Sequence, residues 1–519
     1  MTAAGAGAST NCGGIGFLQR FFGRNDMSSC AGMSWRLRGG AAPVCAFLVC
    51  AFLVIAACGR PACAETLEQA LTNAYLINPV LNAERARLRA TDEQVALAKA
   101  GLRPFISGEA DTNFVNQNID IAGGGRSSSS ASANPLNSGA TGFSSEGVTH
   151  PHGYSVQLTQ PLFEGFQNLN AIRGAKSTVQ AARESLRSVE QTVLLDAVTA
   201  YVNVVRDAAI VRLRENDVTV LTEQLKATKD RFDVGEVTRT DVAQAEARRS
   251  EALSTLAAAQ ANLKTSNAAY EQVIGHPPGK LETPPSILGL LPTSLDDAMT
   301  LGDGENPIIL AAIYQEETSL YAVQQIMGEL LPTATLQAQY SHRFDPSRQV
   351  SEIETTTVTG RVDAPFYQGG GVAARVRQAK ETNNQLKKEV EDARLRVHAD
   401  VLSSWGILQS SGPAIASAQA AVDANKIALT GVREEEKVGQ RTTLDVLDAQ
   451  RELLNSQIGL VTALRDRVVA EYSLYAAIGR MDAQTLGLPV PYYDPLEHYD
   501  TVKNKWFGLR PPTPPAPDE

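Results

Sequence analysis

The sequence predicts an internally duplicated chain in which long antiparallel α-helices carry short β-hairpins. Three observations predict it. Short motifs recur in two constant registers, two stretches of more than sixty residues run with almost no turn signal, and between paired prolines the hydrophobic period switches from helical to two. Aromatic residues are only 6% of the chain, and Ala, Gln, Leu and Val dominate the long stretches, which suits extended helices.

The first 64 residues stand apart. All six cysteines (Cys12, Cys30, Cys45, Cys50, Cys58, Cys63) lie there, together with the only long apolar run, Ala41–Cys58. Arg36 and Arg38 before the run and Ala62-Cys63-Ala64 after it complete a secretory signal, so 1–64 reads as leader and signal peptide, with the mature chain starting at Glu65. Met33 would begin a signal of conventional length. Ile55-Ala56-Ala57-Cys58 offers a second reading, a cysteine to be acylated as in lipoproteins. A retained anchor helix fits less well, because the run falls short of the roughly 20 residues a span needs. Without this segment, five Arg and one Asp are lost and 42 basic side chains face 56 acidic ones. That exported, acidic, thiol-free chain has no disulfide framework, thiolate chemistry or cysteine metal site. Nor does it carry the basic footprint that nucleic acid requires.

The remainder is two copies of one unit. Leu67-Glu68-Gln69-Ala70 and Asn78-Pro79 recur as Leu295-Asp296-Asp297-Ala298 and Asn306-Pro307, 228 residues on; Leu102-Arg103-Pro104 recurs as Leu330-Leu331-Pro332. Pro161–Gly165 is answered by Pro365–Gly369 at an offset of 204, which also links Val234-Gly235 to Val438-Gly439, Asp241-Val242 to Asp445-Val446 and Ile274-Gly275 to Ile478-Gly479. The change of offset places 24 extra residues between Pro104 and Pro161. The Gly/Ser/Asn-rich stretch 122–148 accounts for them and reads as a flexible loop. The organisation is then a first repeat at 65–292, with a hairpin at 105–163 and a tip turn at 232–240. A second repeat follows at 293–490, with a hairpin at 333–366 and a tip turn at 436–442, and a Pro-rich tail closes the chain at 491–519.

Within each hairpin the residues alternate. Tyr154, Val156 and Leu158 are apolar between Ser155, Gln157 and Thr159, and Leu336, Ala338 and Tyr340 are apolar between Thr335, Gln337, Gln339 and Ser341. Phe105–Ile121 and Thr355–Ala364 alternate less cleanly, giving four strands in all. Such strands suit a transmembrane barrel wall or an ordinary half-buried hairpin. If they span a membrane, several chains must pool them, since the smallest barrel has eight strands and no open edge survives in lipid.

The rest is helical. Phe166–Arg231 and Gly370–Glu436 contain no strong stop except Ser411-Gly412-Pro413, and each would reach about 100 Å. A short break follows each, then a return helix of roughly 35 residues ending at Ile-Gly. The return helix stacked on the helix that starts at Asn-Pro would match the long one in length, as a uniform helical cylinder requires. Leu447, Leu454, Val461, Val468 and Tyr475 repeat every seven residues beside a second stripe of Leu453, Leu460 and Leu474. Two seams imply neighbours on two sides, although a single-chain coiled-coil rod would show the same period.

At this point the residues resemble a known family. The doubled unit, the Asn-Pro helix starts, the Pro-bounded hairpins and Val438-Gly439-Gln440-Arg441-Thr442-Thr443-Leu444-Asp445-Val446-Leu447-Asp448 look like the TolC family of outer-membrane efflux proteins, over essentially all of 65–490. The resemblance implies a homotrimer whose three sets of four strands close a 12-stranded barrel in outer-membrane lipid, continued by a helical tunnel through the periplasm. It implies docking to a periplasmic adaptor (membrane fusion protein) and an inner-membrane RND or ABC transporter, with no cofactor. By motif position it implies an entrance gate of carboxylates at Asp445 and Asp448, and a closed-state latch of Arg441 with Thr240 and Asp241. A tyrosine often found five residues before that arginine is Glu436 here, which should repel Asp241. The Val-Gly turns at Gly235 and Gly439 are the expected adaptor-docking turns, although a plain interhelical turn would look the same. From the residues alone, Thr442-x-x-Asp445 and Thr238-x-x-Asp241 read equally as helix capping boxes.

No catalytic constellation emerges. The six histidines (150, 152, 276, 342, 398, 498) are scattered, and Gly123-Gly124-Gly125 lacks the Lys-Ser/Thr of a phosphate loop. The expected function is an exit duct powered by its partners. The alternative is a structural or adhesive coiled-coil surface protein without a channel, and a secreted enzyme ranks last.

Overall fold

A computed structural model describes residues 64–120, 144–347 and 350–512. The leader and signal reading, apart from Ala64, lies outside the described residues, as do 122–143 of the predicted loop and 513–519 of the tail. In chain order the elements are α1 (Leu67–Ile77), α2 (Pro79–Ala100), β1 (Phe105–Thr112), β2 (Val115–Asp120), β3 (Ser144–Thr149), β4 (His152–Glu164), α3 (Gln167–Asp233), α4 (Arg239–Ile274), α5 (Leu295–Glu305), α6 (Pro307–Gly328), β5 (Thr333–Ser347), β6 (Val350–Asp363), α7 (Gly371–Lys437), α8 (Thr443–Ala477) and α9 (Pro495–Val502).

Two asparagines set the helical geometry. Asn78 Oδ1 accepts from the Val80 and Leu81 amides at 2.9 and 3.4 Å, capping α2, while its Nδ2 donates to the Val273 carbonyl at the end of α4 at 2.9 Å. Asn306 does the same in the second repeat, accepting from the Ile308 amide and donating to the Ala477 carbonyl, both at 2.9 Å. Proline follows each, at the one helical position where a missing N–H loses nothing. The Asn-Pro and Ile-Gly motifs, which recur at different offsets, therefore meet in space. Gly479 has φ 87°, and a Cβ there would lie 2.7 Å from the Glu305 carbonyl oxygen, so only glycine fits.

As a result α4 ends where α2 begins, and these helices of 36 and 22 residues both pack along the 67-residue α3. In the second repeat α8 and α6, of 35 and 22 residues, pack along the 67-residue α7. The suspected break at Pro413 does not interrupt α7. Proline there leaves the Gln409 carbonyl without a helical donor, but Gln409 is exposed and water can serve it.

The main core lies at the level of the asparagine nodes and includes Leu71, Leu81, Leu194, Tyr201, Tyr270 and Leu474. Around it two buried polar side chains fasten loose ends. The Tyr201 hydroxyl lies 2.8 Å from the carbonyls of both Glu65 and Glu282, sharing its one proton between them, and accepts from the Glu282 amide at 3.1 Å, holding a bridge between Glu65 and Leu281. Glu471, 1% exposed, accepts from Ser286 Oγ, the Ile287 amide and Arg467 Nε at 2.9–3.1 Å, and so pins the connection between repeats.

The segment grouped with the tail is structured in its first part. Asp494 caps α9, which packs on α2, and His498 Nδ1 lies 3.0 Å from the wholly buried Asp92. Burial pushes the Asp92 carboxyl above its ordinary value, against the bond from His498. Local composition hid this helix, because it is held by a distant partner.

The sheet order is β1-β4-β5-β6, antiparallel throughout, so the two hairpins join along β4 and β5. The strand expected at 105–121 is broken at Asn113-Phe114, and β3 occupies the end of the predicted loop, pairing with β2 as a separate ribbon. Pro151 lies opposite the break; having no N–H, it cannot continue the ladder. Register and alternation give the main sheet two unlike faces. Ile106, Leu158, Ala338 and Val358 align across one, and Ser107, Gln157, Gln339 and Thr357 across the other. Among the described residues β1 and β6 have open edges. No helix among the described residues is long and apolar enough to cross a membrane.

Replacing Tyr201 by Phe leaves the Glu282 carbonyl without its partner, while the Glu65 carbonyl keeps the Glu282 amide at 3.1 Å, and is expected to destabilise the fold by about 1–3 kcal/mol. Thermal unfolding followed by circular dichroism should show a lower midpoint with an unchanged native spectrum. An unaltered midpoint would mean that the hydroxyl does not hold the bridge.

Candidate functional site

The candidate site is the tip, where each long helix reverses. Gly235 (φ 83°) and Gly439 (φ 77°) occupy the left-handed position after α3 and α7, donating to the Phe232 and Glu436 carbonyls at 2.9 and 3.0 Å. No atom lies within 4 Å of where a Cβ would stand at either, so glycine is required by the reversal and not by a close neighbour.

The return helices then start on matched capping boxes. Asp241 Oδ2 accepts from the Thr238 amide and hydroxyl at 2.8 and 2.7 Å, and Asp445 Oδ2 accepts from the same groups of Thr442 at 2.9 and 2.8 Å. The bonds from Thr238 hold the Asp241 carboxyl below its ordinary value, and those from Thr442 do the same for Asp445. The capping reading of both motifs is thus present in full.

Within the chain the other expected partners do not meet as expected. Arg441 Nε bonds Glu435 at 2.9 Å, not Thr240 or Asp241, and Thr240 is exposed. Glu436 does not confront Asp241 unscreened: its Oε1 accepts from Arg231 Nη1 at 2.8 Å, and Thr443 Oγ1 lies 3.4 Å away. Arg231 also reaches Glu236 at 3.3 Å. Asp448 accepts from Arg248 Nη2 at 2.8 Å, with Arg451 at 3.6 Å.

Two ion pairs therefore cross between repeats at the tip, Arg231–Glu436 from α3 to α7 and Arg248–Asp448 from α4 to α8. Sequence reasoning missed both arginines. A signal was present: the partners are separated by 205 and 200 residues, close to the 204-residue offset, so opposite charges at near-equivalent places of the two copies marked them. Both pairs are partly exposed, and such pairs contribute about 0.2–1 kcal/mol each. Among the described residues no cluster of His, Cys, Asp and Glu could hold a metal ion.

Comparison with known proteins follows the same layout. The model of a family described as outer membrane efflux protein matches residues 68–276 and 303–480. The chain is 42% identical over 456 residues to the outer membrane efflux protein BepC of Brucella suis, covering 88% of this chain and 94% of that one. It is 26% identical over 438 residues to the outer membrane protein TolC of Escherichia coli, covering 82% and 84%. Its fold is similar to the crystal structure of the CmeC outer membrane channel of Campylobacter jejuni, with a TM-score of 0.70 at 16% identity over 85% of this chain and 89% of that one.

Because both capping carboxyls titrate below their ordinary value, the caps should persist from neutral pH down to about 3.8 and be lost only as the pH falls further. Hydrogen exchange at the Thr238 and Thr442 amides, which donate to these carboxylates, corrected for intrinsic rates, should show flat protection across that range. Loss of protection at about pH 5 would mean that ionised carboxylates do not carry the caps.

Proposed function

Since this chain belongs to the outer membrane efflux protein family, and is an outer-membrane efflux channel, we propose that it works as a homotrimeric exit duct for tripartite efflux or type I secretion. The observation that carries this reading is the four-stranded sheet with one apolar face, one polar face and two open edges. In lipid such edges must be paired. Joining β1 of one copy to β6 of the next gives twelve strands, with the apolar face towards lipid and the polar face lining the lumen. The helices would continue the wall into the periplasm. Exposed Leu395, Leu402, Ile407 and Ile427 on α7 have no cover among the described residues and suit contact with a neighbouring copy. Passage, not catalysis, is the work of this family, and family membership sets aside the adhesive coiled-coil alternative.

Cleavage after Ala64 is the reading carried forward, with acylation at Cys58 as its alternative.

The tip would form the periplasmic entrance. Three copies bring Asp445 and Asp448 together as a ring of six carboxylates that attracts cations and repels anions. Asp448 is partly neutralised by Arg248, and the two cross-repeat ion pairs serve as the latch in place of the contacts expected of Arg441, Thr240 and Asp241. Each pair is weak enough for a docked partner to part. A periplasmic adaptor would dock at the exposed turns around Gly235 and Gly439, coupled to an inner-membrane RND or ABC transporter that selects the cargo.

A heat-modifiable trimer in the outer-membrane fraction that conducts ions in planar bilayers is the expected result; a monomer without conductance would overturn the reading. In that assay Asp445→Ala/Asp448→Ala should weaken block by multivalent cations, and unaltered block would leave these residues as caps alone. Arg248→Ala should raise conductance and deepen the block, because it opens the latch and frees a carboxylate. Cys58→Ala should leave trimer yield and membrane localisation unchanged, whereas loss of the protein from the membrane would restore the acylation reading.

A further inference from the structure

The end of the described chain runs along α2 towards the place where helices give way to strands. Lys99 Nζ donates to Asn504 Oδ1 at 2.7 Å, Arg103 Nη1 donates to the Lys505 carbonyl at 2.8 Å, and the Arg103 guanidinium lies 4.6 Å from the centre of the Trp506 ring. Arg103 is two residues before β1. Beyond it Lys505 Nζ reaches back to the Arg510 carbonyl at 2.8 Å, closing a loop that turns at Gly508 (φ 112°). On this loop Trp506 is largely exposed, Phe507 is 88% exposed and Leu509 is fully exposed. Three large apolar side chains at the tip of a closed loop are a poor surface to leave in water.

Two further features surround the loop. Leu102, Phe105, Leu162 and Phe166, also exposed, lie in the same helix-to-strand junction. Cations gather beside it: burial, followed by the nearby Lys176, Lys503 and Arg103 charges, holds the Lys99 ammonium below its ordinary value. Lys503 is balanced by Asp500 at 2.6 Å, while among the described residues Lys99 and Arg103 bond neutral groups at and just before the loop.

We propose that the Lys505–Arg510 loop docks on the phospholipid surface of the inner leaflet of the outer membrane, with Trp506, Phe507 and Leu509 entering the headgroup region and Lys99 and Arg103 facing lipid phosphates. The level of the loop beside the first strand, the apolar tip and the positive charge behind it all match an anionic lipid surface, where tryptophan and basic residues concentrate. This rests on the barrel reading of the sheet. It gives the chain a second membrane contact besides its strands, formed by a segment that follows both repeats.

Only Trp405 and Trp506 follow the leader, so Trp405→Phe leaves Trp506 as the sole indole of the processed chain. The full trimer carrying that change is reconstituted into phosphatidylglycerol-containing vesicles with and without acyl-chain-brominated lipid. Trp506 emission is expected to be blue-shifted and quenched about two-fold or more by the brominated lipid, with quenching reduced by Phe507→Ser/Leu509→Ser. Unquenched blue emission, meaning cover by a second copy, and unquenched red emission, meaning water, each overturn the proposal. Because no cysteine follows Cys63, an environment-sensitive dye on Phe507→Cys gives the same reading should Trp405→Phe fold poorly. Conductance of the same vesicles separates the two ideas: a conducting but unquenched trimer removes the loop contact and leaves the barrel, whereas silence on both counts removes both.

Discussion

Asn78 and Asn306 each satisfy a helix start with one end of the amide and a helix end with the other, and the rest of the architecture depends on that pair of hydrogen bonds. Each is buried, so losing either partner leaves a polar group unmet at a cost of about 1–3 kcal/mol. The bond fixes where a return helix stops and the next short helix begins, and thereby lets two short helices act as one long neighbour for α3 or α7. The main core surrounds these nodes, and Tyr201 and Glu471 fasten the start of the fold and the inter-repeat connection to the same level. Rigidity is thus concentrated at mid-length.

The tip is built differently. Its capping and gate carboxylates are engaged in backbone capping or in partly exposed ion pairs, and nothing packs where a side chain would stand at its glycines. Contacts of that kind hold one arrangement without committing to it, because each is worth only a fraction of the buried bonds at the nodes. In the proposed reading, an entrance that opens on docking is well placed at the end with the weakest fastening.

Much of this was legible in the sequence because duplication printed it twice. The helix lengths, the Asn-Pro starts, the Gly reversals and the capping boxes are local signals, and each appears at a constant offset. What escaped was held by distant partners. Glu436 looked like a repulsive substitution until Arg231, 205 residues away, stood beside it. Ser144–Thr149 has loop composition but takes its register from β2, and α9 hides among prolines because its hold is His498 on Asp92. Pro413 misled in the other direction, since an exposed carbonyl can take its bond from water.

The charge pairs between the two repeats bear on symmetry. A half-length ancestor would have to build its ring from six identical units, and every tip residue would meet its own copy in the same surroundings. Any charge placed there would be set against six equivalents, and attraction across one seam could not be had without changing all of them. Once the halves are joined in a single chain they can diverge, an arginine on one and a glutamate on the other, and the seams inside a chain become distinguishable from those between chains. In the proposed trimer, lowering the order of the rotation axis from six to three lets the seam inside a chain carry a fastening that the seam between chains need not share.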